Sequence, residues 1–196
     1  MRYLPNGKQM SEADAHTIHE IGIPSLVLME RAALQIVETM HKKNISTEKS
    51  LIVCGSGNNG GDGFAVARLL TEQGKHADVL FAGKEASLSE ECRCQKQIVE
   101  NMGISVFTEF PDEEYTVIID AVFGVGLCRE ITGHYKDVID WMNLQDAEKV
   151  AVDIPSGICA ATGKILGTAF RADLTVCMAC AKLGCELFPG KSYAGE

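Results

Sequence analysis

The chain has 196 residues, 46% of them hydrophobic and 23% charged, and a formal net charge of −9. That length fits one domain, residues 1–196, with enough interior to need no covalent staples. The acidic balance argues against nucleic acid or anionic membrane as partners, and no apolar run reaches the ~18 residues of a membrane span.

The chain opens on Met1-Arg2-Tyr3-Leu4-Pro5-Asn6-Gly7, which lacks the apolar stretch of a signal peptide. Ser11 with Asp14 predicts a helix N-terminus, the helix running to about Glu20 and breaking at Gly22-Ile23-Pro24. A second helix opens at Pro24-Ser25, with Leu28, Ala32, Ile36 and Met40 on one face. Leu51–Cys54 reads as a short buried strand. A glycine-rich loop, Gly55–Gly63, leads into a helix over Phe64–Glu72, ended by Gly74. The alternation continues with a strand at Ala77–Ala82, a helix over Leu88–Met102 and a strand at Ile104–Phe107. A buried strand at Thr116–Asp120, a helix near His134–Met142, and strands at Lys149–Asp153 and Leu174–Met178 complete the pattern. Short apolar strands alternating with helices predict an α/β fold whose mostly parallel sheet is covered on both faces.

With no export signal, the eight cysteines are expected as reduced thiols of a cytoplasmic protein. Cys92-Arg93-Cys94 and the group Cys177, Cys180 and Cys185 fall in a predicted helix and at a strand exit. A zinc site needs four converging ligands, usually on paired knuckles, so these read as small buried hydrophobes.

In open α/β sheets ligands sit at the carboxyl ends of the strands. Three such ends carry unusual residues. The first is Gly55-Ser56-Gly57-Asn58-Asn59-Gly60-Gly61-Asp62-Gly63. Its five glycines allow positive φ and close backbone approach, and the helix that follows offers N–H groups to a phosphate. Two Asn and one Asp exceed what a turn requires. Gly55-x-Gly57-x-x-Gly60 matches the dinucleotide fingerprint in form, but the acidic residue wanted at the end of the next strand is missing, since Asp78 lies near its start. No Gly-Lys-Ser/Thr closes this loop, which excludes a Walker-type loop here. The second end is Asp120-Ala121-Val122-Phe123-Gly124-Val125-Gly126-Leu127-Cys128-Arg129-Glu130. Burying Asp120 requires a cation or several donors, and Arg129 suits a phosphate. The third is Val152-Asp153-Ile154-Pro155-Ser156-Gly157, where a second Asp closes an apolar strand. Asp120 and Asp153, on neighbouring strands, would face one crevice and divide the roles of cation ligand and acid/base.

Together the three segments, with Gly22-Ile23-Pro24-Ser25-Leu26-Val27-Leu28-Met29-Glu30-Arg31-Ala32-Ala33 before them, resemble the NAD(P)H-hydrate epimerase family, the YjeF N-terminal domain. The resemblance covers nearly the whole chain. It implies a Rossmann-like three-layer α/β/α sandwich, a homodimer, and interconversion of the R and S forms of hydrated NADH or NADPH. It places substrate contacts at Asn58, Asn59, Gly60, Gly61 and Asp62, at Gly124, Val125, Gly126, Leu127, Cys128, Arg129 and Glu130, and at Asp153. It assigns one potassium ion per subunit to Asn59, Asp120 and Ser156, an oxygen-rich set that suits that ion. It also implies a partner, an ADP/ATP-dependent dehydratase that uses the S form, and the ending Leu187–Glu196 is similar to the point where such a partner is fused. Lys182 stands where the family often has a lysine; Val125 stands where it often has Thr, and Ala161 where it often has an acidic residue. The chemistry expected of Asp153 is general acid/base work at the hydrated ring carbon. A nicotinamide-dependent oxidoreductase and a non-catalytic scaffold of the same fold are the competing readings.

Overall fold

The computed structural model describes residues 4–196, so Met1, Arg2 and Tyr3 of the opening segment lie outside the described residues. Helix α1 spans Gly7–His16 and begins earlier than Ser11. Asn6 accepts from Gln9 N, and the Gln9 side chain accepts from Asn6 N, each at 3.0 Å. That reciprocal box satisfies two helix-end donors five residues ahead of the expected cap at Ser11. A π-helical turn, Thr17–Ile21, carries the chain to Gly22 at φ +84°. Helix α2 (Ser25–Lys42) buries Met29, Ala33, Ile36, Val37 and Met40. The buried stripe is therefore rotated by one position from the expected face at Leu28 and Ala32.

The sheet has six parallel strands in the order β3-β2-β1-β4-β5-β6. These are β1 Lys49–Cys54, β2 His76–Phe81, β3 Val106–Phe107, β4 Val117–Ala121, β5 Glu148–Val152 and β6 Leu174–Val176. Helices α3 (Asn58–Glu72), α4 (Glu90–Asn101) and α5 (His134–Leu144) connect them, with two short helices, α6 (Leu183–Glu186) and α7 (Lys191–Ala194), at the end. Alternate strand residues point into two separate cores. Ile52, Cys54, Val79, Ile119 and Val152 pack with side chains of α2, α3 and α4. Leu51, Val53, Leu80, Ile118 and Ala151 pack with Val138, Ile139 and Met142 of α5. Helices on both faces explain why the strands read as continuous apolar runs. The chain reverses direction along the sheet between β1 and β4, and a crevice opens there at the strands' carboxyl ends.

No helix among the described residues is long and apolar enough to cross a membrane. All eight cysteines are free.

Candidate active site

The glycine-rich segment is more helix than loop. Helix α3 starts at Asn58, six residues before the expected Phe64, with Gly57 as its N-cap. None of the five glycines has positive φ. Close packing is what demands them. A Cβ on Gly60 would lie 2.0 Å from the Gly55 carbonyl oxygen, and one on Gly55 2.1 Å from the Val122 carbonyl oxygen. Gly60 and Gly61 are buried in the first turn of α3 and do not line the crevice. The first intrahelical bond runs from Gly61 N to Gly57 O at 3.1 Å. The N–H groups of Asn58, Asn59 and Gly60 precede it and form the positive end of the helix, where phosphate is favoured.

The crevice is a cavity of about 680 Å³, within the range of cofactor-sized sites. Asn58, Asn59, Asp62, Gly124, Val125, Gly126, Leu127, Cys128, Arg129 and Asp153 all line it. Glu130 instead lines a side cavity of about 190 Å³, which shares Arg129. Besides Tyr135 of α5, three further contributors are not evident from the three segments. Helix α1 supplies Met10, Ser11 and Asp14; Lys84 and Ser87 come from the turn after β2; Met178, Ala179 and Lys182 follow β6. Helix α1 reaches the site because Gly7 packs on the Val125 carbonyl, 2.7 Å from where a Cβ would stand.

Asp120, at the end of β4, is fully buried. Its Oδ2 accepts from Ser156 N at 2.7 Å, and its Oδ1 from Ser156 Oγ at 2.7 Å and Val122 N at 3.2 Å. Burial outweighs these three donors and raises its carboxyl from 3.8 to about 6. The Ser156 hydroxyl also accepts from Phe123 N at 2.8 Å, tying the β4 and β5 loops together. Asn59 lies against Gly124, whose Cβ position falls 3.3 Å from the amide, and its buried Nδ2 has no partner among the described residues. So Asp120 and Ser156 meet directly, and Asn59 joins them through the loop that carries Phe123.

Asp153 follows β5 with φ +69°, an unusual conformation for a non-glycine residue. Only Asn44 and Ala179 share that feature among the described residues, and Ala179 also lines the cavity. Asp153 Oδ1 accepts from Lys182 Nζ and from Met178 N at 3.0 Å. The Lys182 ammonium also donates to Met178 O at 2.6 Å and is 1% exposed. Both donors fall on Oδ1, so Asp153 Oδ2 accepts no hydrogen bond among the described residues. Asp62 shares the cavity; burial, then the Asp153 and Asp14 charges, raise its carboxyl well above the usual range. Asp78 is remote from the strand ends, where a ribose-binding acid would sit. It is buried in β2, accepting from Tyr115 Oη at 3.1 Å.

A family model described as "YjeF-related protein N-terminus" matches residues 25–184. The chain is 42% identical to the NAD(P)H-hydrate epimerase of Oenococcus oeni, over 97% of this chain and 91% of that protein. It is 44% identical to the enzyme of the same name from Limosilactobacillus reuteri, over 98% and 92%. The crystal structure of yeast ynu0, YNL200c superposes with a TM-score of 0.82 over 94% of this chain and 83% of that one. At 20% identity it speaks for the fold alone.

Proposed function

The chain belongs to the YjeF-related N-terminal family, and from that premise we propose that it interconverts the R and S forms of hydrated NADH and NADPH, with Asp153 carrying the proton. It is an isomerase whose substrate is the hydrated dinucleotide. The observation that carries the reading is a single cavity joining a helix N-terminus, an exposed arginine and a buried carboxylate whose second oxygen takes no donor among the described residues.

The hydrate bears a hydroxyl on the carbon bonded to the ring nitrogen. Nitrogen lone-pair donation expels it as water once an acid protonates it, leaving an iminium. Water then returns to either face as a base takes its proton. Asp153 Oδ2 performs both transfers while Lys182 holds Oδ1 and stabilises the carboxylate. Arg129 and the first N–H groups of α3 take the pyrophosphate. Gly124, Val125, Gly126, Leu127 and Cys128 form the wall against which the dinucleotide lies.

The donor set fits a potassium ion. Asp120 is a buried anion whose three partners are all neutral, and turning the Asn59 amide presents Oδ1 where the unpartnered Nδ2 stands. Asn59, Asp120 and Ser156 would hold the ion, which when bound supplies positive charge against Asp120 and needs no redox chemistry. Residues 1–196 act as one domain. Exposed Ile21, Ile23, Leu26, Val27 and Leu34, on the π-helical turn, α2 and the link between them, suit a second copy of the chain as partner in a homodimer. An ADP/ATP-dependent dehydratase consumes the S form. Eight free thiols suit the reducing cytoplasm.

The test is incubation with purified R-hydrate and chromatography for the S form. Conversion above the spontaneous rate is expected. A rate equal to that of buffer alone overturns the reading.

A further inference from the structure

Next to the Asp153–Lys182 pair stands a second pair of side chains that epimerisation does not use. Cys177 directly follows β6 and Cys185 lies in α6. Both pack in the small apolar cluster around Ile154 and Ile158. Between them runs the segment that carries Met178 and Lys182, the two donors to Asp153 Oδ1. Cys185 N donates to Lys182 O at 3.0 Å, so Cys185 is built into the turn that aims the lysine.

The two thiols are chemically unequal. The Cys185 side chain lowers the Cys177 thiol from 9.0 to about 7, with help from the Lys182 backbone and ammonium. The same interaction, then burial, raise Cys185. One sulfur is thus about half thiolate at neutral pH and half-buried, within reach of a small oxidant, while its neighbour keeps a proton. The buried thiols of α4 and β1 differ: Cys92 is pushed up to about 12 and Cys54 is raised well above its usual range, both by burial first. They should be inert.

We propose that Cys177 and Cys185 form a redox-active dithiol, which hydrogen peroxide converts to an intramolecular disulfide that reversibly silences the site by displacing Lys182. The Cys177 thiolate attacks one peroxide oxygen, giving a sulfenic acid and hydroxide. Cys185 sulfur then attacks the sulfenic sulfur; its proton and the hydroxyl leave as water, and the S–S bond forms. Two thiols and one peroxide become one disulfide and two waters. Disulfide sulfurs stand about 2.05 Å apart, closer than two unbonded sulfurs can pack, so the segment from 177 to 185 must contract. Met178 and Lys182 shift with it, and a displacement of about 1 Å at a catalytic group is enough to cost up to ~100-fold in rate. The loss of activity rests on the epimerase reading; formation of the disulfide does not.

The experiment uses the Cys180→Ser protein, which removes the thiol lying between the two in the sequence. Trypsin cuts after Lys182 and places Cys177 and Cys185 on separate peptides, residues 172–182 and 183–191. After brief peroxide treatment the expected result is a linked pair of these peptides lighter by two hydrogens. Epimerisation should fall at least about tenfold and return with dithiothreitol. Cys185→Ser should give no linked pair and take up oxygen on Cys177 instead. Oxidation of other thiols without this linkage overturns the proposal. So does a linked protein that epimerises at the untreated rate. If the untreated protein does not epimerise, the function reading and the switch fall together, while the peptide map still decides whether the pair bonds.

Discussion

The Asp153–Lys182 pair makes a prediction that separates its structural role from its chemical one. The paired side chains are 12% and 1% exposed, so each charge is buried against the other. Lys182→Met leaves Asp153 without its cation, and Asp153→Asn leaves Lys182 ammonium without its anion. Breaking a buried pair from one side costs ~3–5 kcal/mol. For a chain of this size each kcal/mol is about 2–4 °C, so each single variant should melt roughly 6–20 °C lower. Asn tolerates the left-handed backbone at this position, so the loss comes from charge rather than from strain. The double variant removes both charges together. Replacing a buried pair by neutral groups of similar size is often close to neutral, so it should return to within ~1–2 kcal/mol of wild type. Activity should behave differently. Asp153→Asn and the double variant should both be inactive, since neither carries a proton acceptor at Oδ2. Urea unfolding of all four proteins, with the hydrate conversion assay on each, completes the cycle. Additive losses of stability would mean that the two charges do not interact. Recovery of activity in the double variant would show that Asp153 is not the proton carrier.

The Gly60 packing predicts that Gly60→Ala unfolds the protein or lowers its melting temperature sharply, because the new Cβ would lie 2.0 Å from the Gly55 carbonyl. Gly57→Ala, with φ −87° and nothing within 4 Å, should melt like wild type, and equal melting of the two variants would refute the packing argument. Asp120 is raised from 3.8 to about 6, so its contribution to stability is full below about pH 4 and is lost as pH rises through about 6, a change on the order of 3 kcal/mol. A cation that meets only the ionised form should offset that loss. Potassium should therefore raise the melting temperature more at pH 8 than at pH 5, and lithium less; equal shifts at both pH values would remove Asp120 from the ion site. Arg129→Gln, an exposed change, should raise KM for the hydrate roughly tenfold, about the 1.4 kcal/mol of one charged contact, at unchanged melting temperature. An unchanged KM would free Arg129 of any phosphate role.

The parts of this molecule that were legible in its sequence are those set by local rules. Continuous apolar strands announced a sheet covered on both faces, and an acidic residue ending a strand announced a crevice, because burying Asp120 without donors is too costly. What stayed hidden depends on contacts between distant segments. The glycines of Gly55–Gly63 looked like providers of positive φ, yet their φ values are ordinary, and the constraint is the Gly55 and Val122 backbones packed where side chains would stand. Substituting Gly60 or Gly61 is therefore an assault on the core as well as on ligand binding, contrary to what a surface loop would imply. Helix α1 gave no sign of facing the cavity, since only the packing of Gly7 on Val125 brings Met10 and Asp14 there. Lys182 could be noticed by resemblance but not given a role. Its partner lies 29 positions earlier, and nothing in an apolar stretch after a last strand says that a buried ammonium will meet a carboxylate. The residues of the reaction are thus visible one by one, whereas the charges that tune them become visible only once the sheet has set β5 beside β6.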